Sequence, residues 1–284
     1  MRIYYFIVLI TFASCQPNIK MKKNTPICKK KSKLLSIHNQ ERIDDYYWLN
    51  DRENPEVIDY LNSENSYTDS QMRNTESFQK TLFNELKSRI KEEDQSVPYL
   101  FNNYYYWSKY EKGFEHPIYL RKKEDSNIDE VILNGQDLSK DYEFFNIGDY
   151  DISENNQIMA YSYDTLSRRI YQIRIKNLIT GELFPEILEN TTGSIVFAND
   201  NKTLFYGKKD PVTLRSFQIY AHELGTDQSK DVLIFQEDDE TFSCYAYKTK
   251  SNEYIVINSS STLSDEYRLI PASSPLEKPK VFQK

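Results

Sequence analysis

Glycine is scarce in this sequence, at 7 residues in 284, against an average usage of about 7%. A doubly wound α/β enzyme needs glycine for tight strand-to-helix turns and phosphate loops, so the shortage argues against that class. The glycine-framed motifs are missing too. There is no G-x-S-x-G nucleophile elbow, no G-x-x-x-x-G-K-[ST] and no G-x-G-x-x-G, so neither a serine elbow nor a phosphate cradle is supported. Histidine numbers 3, at His38, His116 and His222, and cysteine 3, at Cys15, Cys28 and Cys244. None sits in H-E-x-x-H or in a zinc spacing, so no metal ligand is assigned. His116 and His222 read as ordinary surface or half-buried residues. Excess positive charge is also lacking. The formal net charge is −7, and nucleic acid is excluded as the main partner because a phosphate binder needs a basic face.

Aromatic residues are abundant, with 23 Tyr and 15 Phe, and with Ile and Val they favour strands. Carboxylates occur in runs, Asp44-Asp45, Glu92-Glu93-Asp94 and Glu237-Asp238-Asp239-Glu240. A glycosidase needs two facing carboxylates, and acids adjacent in sequence read instead as solvated turns. The N-terminus, "MRIYYFIVLITFASC", has a basic Arg2, an apolar stretch and the small residues Ala13 and Ser14 before Cys15. That is the anatomy of a secretory signal. Its ending resembles a bacterial lipoprotein signal, with Cys15 as the lipidation position, and predicts an exported, membrane-anchored or periplasmic protein. The basic run from Lys20 to Lys33 reads as a solvated tether near the membrane. Export permits a Cys28–Cys244 disulfide, which their spacing does not establish.

Residues 54–94 read as one or two helices. Asn54 suits an N-cap and Pro55 the first turn. Phe78, Leu82, Phe83, Leu86 and Ile90 recur at helical steps and form one apolar face. From Val97 the pattern becomes strand–turn–strand, with no further helix expected. "DISENNQIMAYSYD", "VFANDNKTLFYGKKD" and "YKTKSNEYIVINSSS" echo one another. Each is followed by a paired strand ("RIYQIRIKNL", "SFQIYAHEL", "DEYRLIPAS"), and "NNYYYWSKY…HPIYLRKK" has the same form. The period is about 46 to 50 residues, and four antiparallel strands per repeat of that length mark a β-propeller blade. Four units fit between Val97 and Lys284.

"RIDDYYWLNDRENPEVIDYLNSENSY", followed in order by "KEEDQSVPYLFNNYYYWSKYEKGFEHPIYLRKK" and the three echoed segments, resembles oligopeptidase B in the prolyl oligopeptidase family of serine peptidases. The resemblance implies a seven-bladed propeller over an α/β-hydrolase domain bearing a Ser-Asp-His triad, with cleavage of short peptides after Arg or Lys. It implies a mainly β fold: about four of an expected seven blades, preceded by a helical segment that would pack on a hydrolase domain lying outside this sequence. The expected organisation is a signal peptide at 1–15, a tether at 16–41, the helical segment of the peptidase domain at 42–96 and the partial propeller at 97–284. The expected partners are short peptides, that hydrolase domain and a membrane reached through the lipid anchor. No catalytic, cofactor or metal residue of the family falls on any position here, so the chain alone is expected to be inactive. A truncated sequence, a split gene and a degenerate pseudo-enzyme all fit this pattern. The alternative is a non-catalytic propeller lipoprotein that binds. On the peptidase reading the acids and aromatics of Arg42–Asn65 dock the start of the chain onto that hydrolase domain, with the carboxylates on the wet side.

Overall fold

The computed structural model describes residues 25–283. They divide into two compact units at Ile90/Lys91. The lipidation candidate Cys15 and the first part of the basic run lie outside the described residues.

The first unit opens with a hairpin, β1 (Lys33–Ile37) and β2 (Gln40–Asp44). Its two-residue turn, His38-Asn39, has both residues at positive φ (53° and 61°), the turn twist that antiparallel strands favour. The expected boundary between tether and helical segment, at 41/42, falls inside this hairpin. A single 3₁₀ turn (Tyr47–Asn50) leads to α1 (Pro55–Met72). Asn54 caps α1 as expected: its side chain accepts the Glu56 N–H at 3.0 Å, and Pro55 occupies the first turn. A short 3₁₀ stretch separates α1 from α2 (Glu76–Ser88). Within this unit α1 buries only Val57, and the α2 face of Phe78, Leu82, Phe83 and Leu86 is exposed.

The second unit is built of four antiparallel meanders. The first comprises β3 (Asp94–Gln95), β4 (Tyr99–Phe101), β5 (Tyr104–Tyr110), β6 (Ile118–Lys123) and β7 (Glu130–Asn134). β3 and β4 both pair with β5, so they share the innermost position. A short helix, α3 (Gly135–Ser139), follows, capped by Asn134. The repeat pattern gave no sign of it. The second meander is β8 (Asn146–Ile152), β9 (Ile158–Asp164), β10 (Tyr171–Asn177) and the first part of β11 (Leu183–Phe197). The third takes the last part of β11, then β12 (Thr203–Lys209), β13 (Ser216–Glu223) and β14 (Val232–Gln236). The fourth is β15 (Ser243–Lys248), β16 (Tyr254–Ser260), β17 (Asp265–Pro271) and β18 (Lys280–Gln283). These are four propeller blades, and the arc they form is not closed.

β11 serves two blades because it bends between Thr191 and Ile195. Gly193 sits there at φ 92°, and a Cβ on it would lie 2.7 Å from the Tyr171 ring. This is one position where only glycine fits. Elsewhere asparagine does glycine's work. Among the described residues, eleven non-glycine residues have positive φ, and seven of them are Asn. Asn103, Asn156, Asn201 and Asn252 recur at the turn between the first and second strand of each blade. Asn tolerates the left-handed region better than other chiral residues because its short polar side chain bonds locally. The chain can therefore make many tight turns with few glycines.

The core lies between the blades. Tyr106, Ile132 and Leu133 of the first blade pack on Ile152, Met159 and Tyr161 of the second. Ile173, Leu188, Phe197 and Leu204 pack together in the second and third. Phe205, Ile219, Cys244, Ile255, Ile257 and Ile270 join the third and fourth. Each fully buried aliphatic or aromatic side chain contributes about 1.5–3 kcal/mol. The blades thus stabilise one another face to face.

Candidate functional site

The residues singled out in the sequence are scattered. His38 lies in the exposed β1–β2 turn. His116 sits edge-on to Phe145, with ring centroids 5.4 Å apart. His222 departs from expectation, being wholly buried on β13. Its Nδ1 lies 2.7 Å from Asp231 Oδ1, the spacing of a base and its orienting acid. Asp231 also accepts the Tyr206 hydroxyl at 2.7 Å. Yet His222 Nε2, the atom that would serve a nucleophile, has no hydrogen-bond partner and faces Glu186 Oε1 at 3.8 Å. Nucleophilic catalysis needs a hydroxyl or thiol at that nitrogen, so this is a structural cluster. Sequence reading missed it because the three residues, spread over 25 positions of the third blade, carry no motif and meet only through the pairing of its strands.

The acidic runs form turns and clasps. Asp44 accepts the Tyr46 N–H, Asp94 pairs with Lys91 at 2.9 Å, and Asp239 accepts from Thr241. Glu237 is more committed: Ser259 Oγ donates to it at 2.6 Å. Among the described residues no group of three or more metal-ligating side chains occurs. Cys28 and Cys244 are both free thiols, and burial pushes the Cys244 thiol up to about 12, which leaves it inert as a nucleophile.

The described part of the basic run is exposed to solvent, as expected, and is also paired. Its described lysines are pinned to the first unit. Lys29 and Lys31 both pair with Glu56, the former at 2.7 Å. Lys31 also stands 4.5 Å over the Trp48 ring, and Lys33 3.8 Å over Tyr47. Trp48 Nε1 donates to the Lys29 carbonyl at 2.9 Å. Ser32 donates to Asp45 at 2.6 Å. The hydrogen bonds from Lys29 and Lys31 hold the Glu56 carboxyl down to about 2. "YYWL" and its acids therefore fasten the preceding lysines, and the carboxylates are not merely its wet side. Beside them lies a cleft of about 880 Å³ lined by Ile27, Trp48, Glu56, Tyr60 and Tyr67.

The functional geometry of the second unit is its blade junctions. Asp149 and Asp151 project from β8 at alternate positions. Asp151 accepts the Phe197 N–H at 2.7 Å and the Ile152 N–H at 2.9 Å, and Asp149 accepts from Ile195 at 3.4 Å. Two side chains of one blade thus satisfy the free backbone edge of the next, where an unpaired buried N–H would be costly. Burial pushes the Asp151 carboxyl up to about 6 against those bonds. Asn155 N–H donates to Asn201 at 2.8 Å, Asn156 Nδ2 to the Asn102 carbonyl at 3.0 Å, and Asn199 Nδ2 to the Asn252 carbonyl at 2.6 Å. Arg121 is the largest fully buried side chain. It donates to Glu130 at 2.7 Å and to the Asn156 carbonyl at 2.6 Å, and lies 4.6 Å from the Tyr104 ring centre. This is a scaffold that positions blades, with no group set for bond cleavage among the described residues.

Comparison with known proteins agrees. Residues 26–284 match the family described as prolyl oligopeptidase, N-terminal beta-propeller domain. The chain is 38% identical over 267 residues to dipeptidyl aminopeptidase BI of Pseudoxanthomonas mexicana, covering 88% of this chain and 37% of that one. It is 32% identical over 259 residues to protease 2 of Moraxella lacunata, with the same coverage of 88% and 37%. Oligopeptidase B from Leishmania major superposes with a TM-score of 0.84 at 26% identity, over 90% of this chain and 39% of that structure. The chain thus spans little more than a third of these relatives. Four meandering blades, their repeat and the match along almost the whole described length make this chain a member of the prolyl oligopeptidase family, carrying its N-terminal β-propeller region.

Proposed function

We propose that the chain is the propeller-bearing portion of a serine oligopeptidase that hydrolyses short peptides after Arg or Lys. The observation that carries this reading is the family match over residues 26–284, joined to a scaffold of blade junctions without a catalytic set. The propeller's part is exclusion: an extended peptide passes where a folded protein cannot. Chemistry would come from a Ser-Asp-His triad on a hydrolase domain, where the histidine takes the serine proton and backbone N–H groups hold the oxyanion. Domain opening would gate access. A second specificity is favoured by one observation. The 38% identical relative is named a dipeptidyl aminopeptidase, which points to release of dipeptides from a free N-terminus. We also propose export and lipid attachment at Cys15, supported by Arg2, the apolar run and the Ala13-Ser14-Cys15 ending. A fatty-acid label that appears on wild type and disappears in Cys15→Ala supports it. A label that persists in the variant refutes it.

The test of the main reading follows the coding sequence past codon 284 and assays its product. An in-frame G-x-S-x-G with later Asp and His, and cleavage of Arg-containing chromogenic peptides blocked by a serine-directed inhibitor, is the expected result. Paired substrates with free and blocked N-termini separate dipeptide release from endopeptidase action. The 284-residue chain alone is expected to release no product. A product without a triad, or inactive on every peptide, overturns the reading in favour of a non-catalytic binding propeller.

A further inference from the structure

We propose that His222, set between the carboxylates of Asp231 and Glu186, is a proton-binding latch that fastens the outer strand of the second blade to the third blade. All three residues belong to the second unit, and the latch acts whatever the activity of the complete protein.

The pairing of strands brings three elements to one place. Glu186 lies on the first part of β11, which pairs with β10 and closes the second blade. His222 is near the end of β13, and Asp231 immediately precedes β14, both in the third blade. The side chains of Glu186, His222 and Asp231 are 6%, 0% and 1% exposed. A run of hydrogen bonds joins them to both blades. Glu186 Oε1 accepts the Gly225 N–H at 2.7 Å. Gln228 accepts the Glu189 N–H at 3.0 Å and donates to the Glu189 carbonyl at 3.1 Å. It also donates to the Tyr206 hydroxyl at 3.2 Å, and that hydroxyl donates to Asp231. An outer strand has one edge without a strand partner, and here side chains and loop N–H groups of the third blade supply the partners.

The ring stands between two acceptors. Nδ1 is 2.7 Å from Asp231 Oδ1 and carries its proton there, since a carboxylate only accepts. In the neutral imidazole Nε2 is then a lone pair, and it faces Glu186 Oε1 at 3.8 Å. That separation is too long for a hydrogen bond, and neither Nε2 nor Glu186 Oε2 has a partner. A proton on Nε2 makes it a donor and draws Glu186 closer by about 1 Å, to ordinary hydrogen-bond length. It also sets one cation between two buried carboxylates that form no other ion pair among the described residues, where unpaired charge is costly. The proton therefore binds where it strengthens the seam.

The other charged groups nearby do not supply this change. Burial pushes the Tyr206 hydroxyl up, so it remains a donor. The Ser229 side chain and N–H hold Asp227 below the ordinary carboxylate range, so it remains ionised. Lys208 stands over the Tyr220 ring. Lys202, Glu223 and Lys230 line a cleft at His222, and none bonds to its ring. Histidine is the side chain whose charge ordinarily changes between about pH 5 and about pH 8. A second cleft of about 500 Å³, lined by Glu186, Glu189, Lys208, Asp227 and Gln228, opens beside the network, so water reaches the seam without separating the blades. The latch is closed with the proton bound and is released as pH rises and His222 gives the proton up.

The experiment follows hydrogen exchange of the complete protein encoded by the reading frame, between about pH 5 and about pH 8. Each amide's rate is taken relative to its own unfolded rate at that pH. The reporters are the N–H groups of Gly225 and Glu189. The Asn155 N–H, bonded to the Asn201 side chain at the same blade junction but away from the ring, is the control. In wild type, protection of Gly225 should be about tenfold greater at the lower pH, with Asn155 unchanged. His222→Gln should lose the dependence. Glu186→Gln should lose it too but stay protected throughout, because its amide donates to the neutral Nε2. If His222→Gln does not fold, wild type and Glu186→Gln decide. Flat protection of Gly225 in wild type overturns the latch. So does a pH dependence that survives in either variant or is shared equally by Asn155. Peptidase activity is not the readout, so its absence would count against the proposed function alone.

Discussion

Stability of the blades should fall as pH rises from about 4 to about 7, and Asp151 should be a cause. Burial between β8 and the inner part of β11 pushes its carboxyl up to about 6, even though the Phe197 and Ile152 N–H groups and the nearby Lys248 favour the charged form. In the unfolded chain the same group titrates at about 3.9. Between those values the folded state binds more protons than the unfolded state, so stability declines with pH across that window. A gap of about two pH units corresponds to roughly 2–3 kcal/mol. Asp151→Asn removes the titration. It also leaves one backbone N–H facing an amide donor, at a pH-independent cost of about 1–3 kcal/mol. The stability difference between wild type and variant should therefore shrink by about 2–3 kcal/mol on going from about pH 4 to about pH 7. Urea unfolding followed by Trp107 fluorescence in a Trp48→Phe background measures it, because these are the only tryptophans. A difference that stays constant with pH would refute the reasoning.

Three further outcomes are expected. Arg121→Met should cost about 2–4 kcal/mol in the same unfolding assay, since a buried charged hydrogen bond to the Asn156 carbonyl is lost, and a loss under about 1 kcal/mol would contradict the assigned role. At Asn201, φ is 59°, so Asn201→Ala should be more destabilising than Asn201→Gly by about 1 kcal/mol, and the reverse order would show that the left-handed turn is not the constraint. In the first unit Glu56 is held down to about 2 by Lys29 and Lys31. The clasp is present above the ordinary carboxylate range and lost as pH falls through that lower value. Trp48 fluorescence in a Trp107→Phe background should hold steady to about pH 3, whereas Glu56→Gln shifts it already at neutral pH.

Much of the fold was legible because its signals are local. Asn54-Pro55 is a helix start in any context, and a strand–turn–strand unit recurring every 46 to 50 residues brings the same turn of successive blades side by side, as the bonds between Asn155 and Asn201 and between Asn199 and Asn252 show. The helix α3 escaped because five residues carry no readable period. The lysine clasp escaped because a run such as "CKKKSK" looks solvated until a partner is known, and Glu56 stands 25 residues beyond Lys31.

The sequence by itself determined the repeat, the turn chemistry and the absence of nucleophile and phosphate motifs, since each is written in residues close along the chain. Only the tertiary structure decided which polar groups meet. Asp151 reaches Phe197 and Arg121 reaches Asn156 because the blades stack in register, and His222 reaches Asp231 through the fold of the third blade itself. The period can be read from one strand of letters, whereas the side on which each loop emerges depends on the hydrogen-bonded pairing of strands in three dimensions.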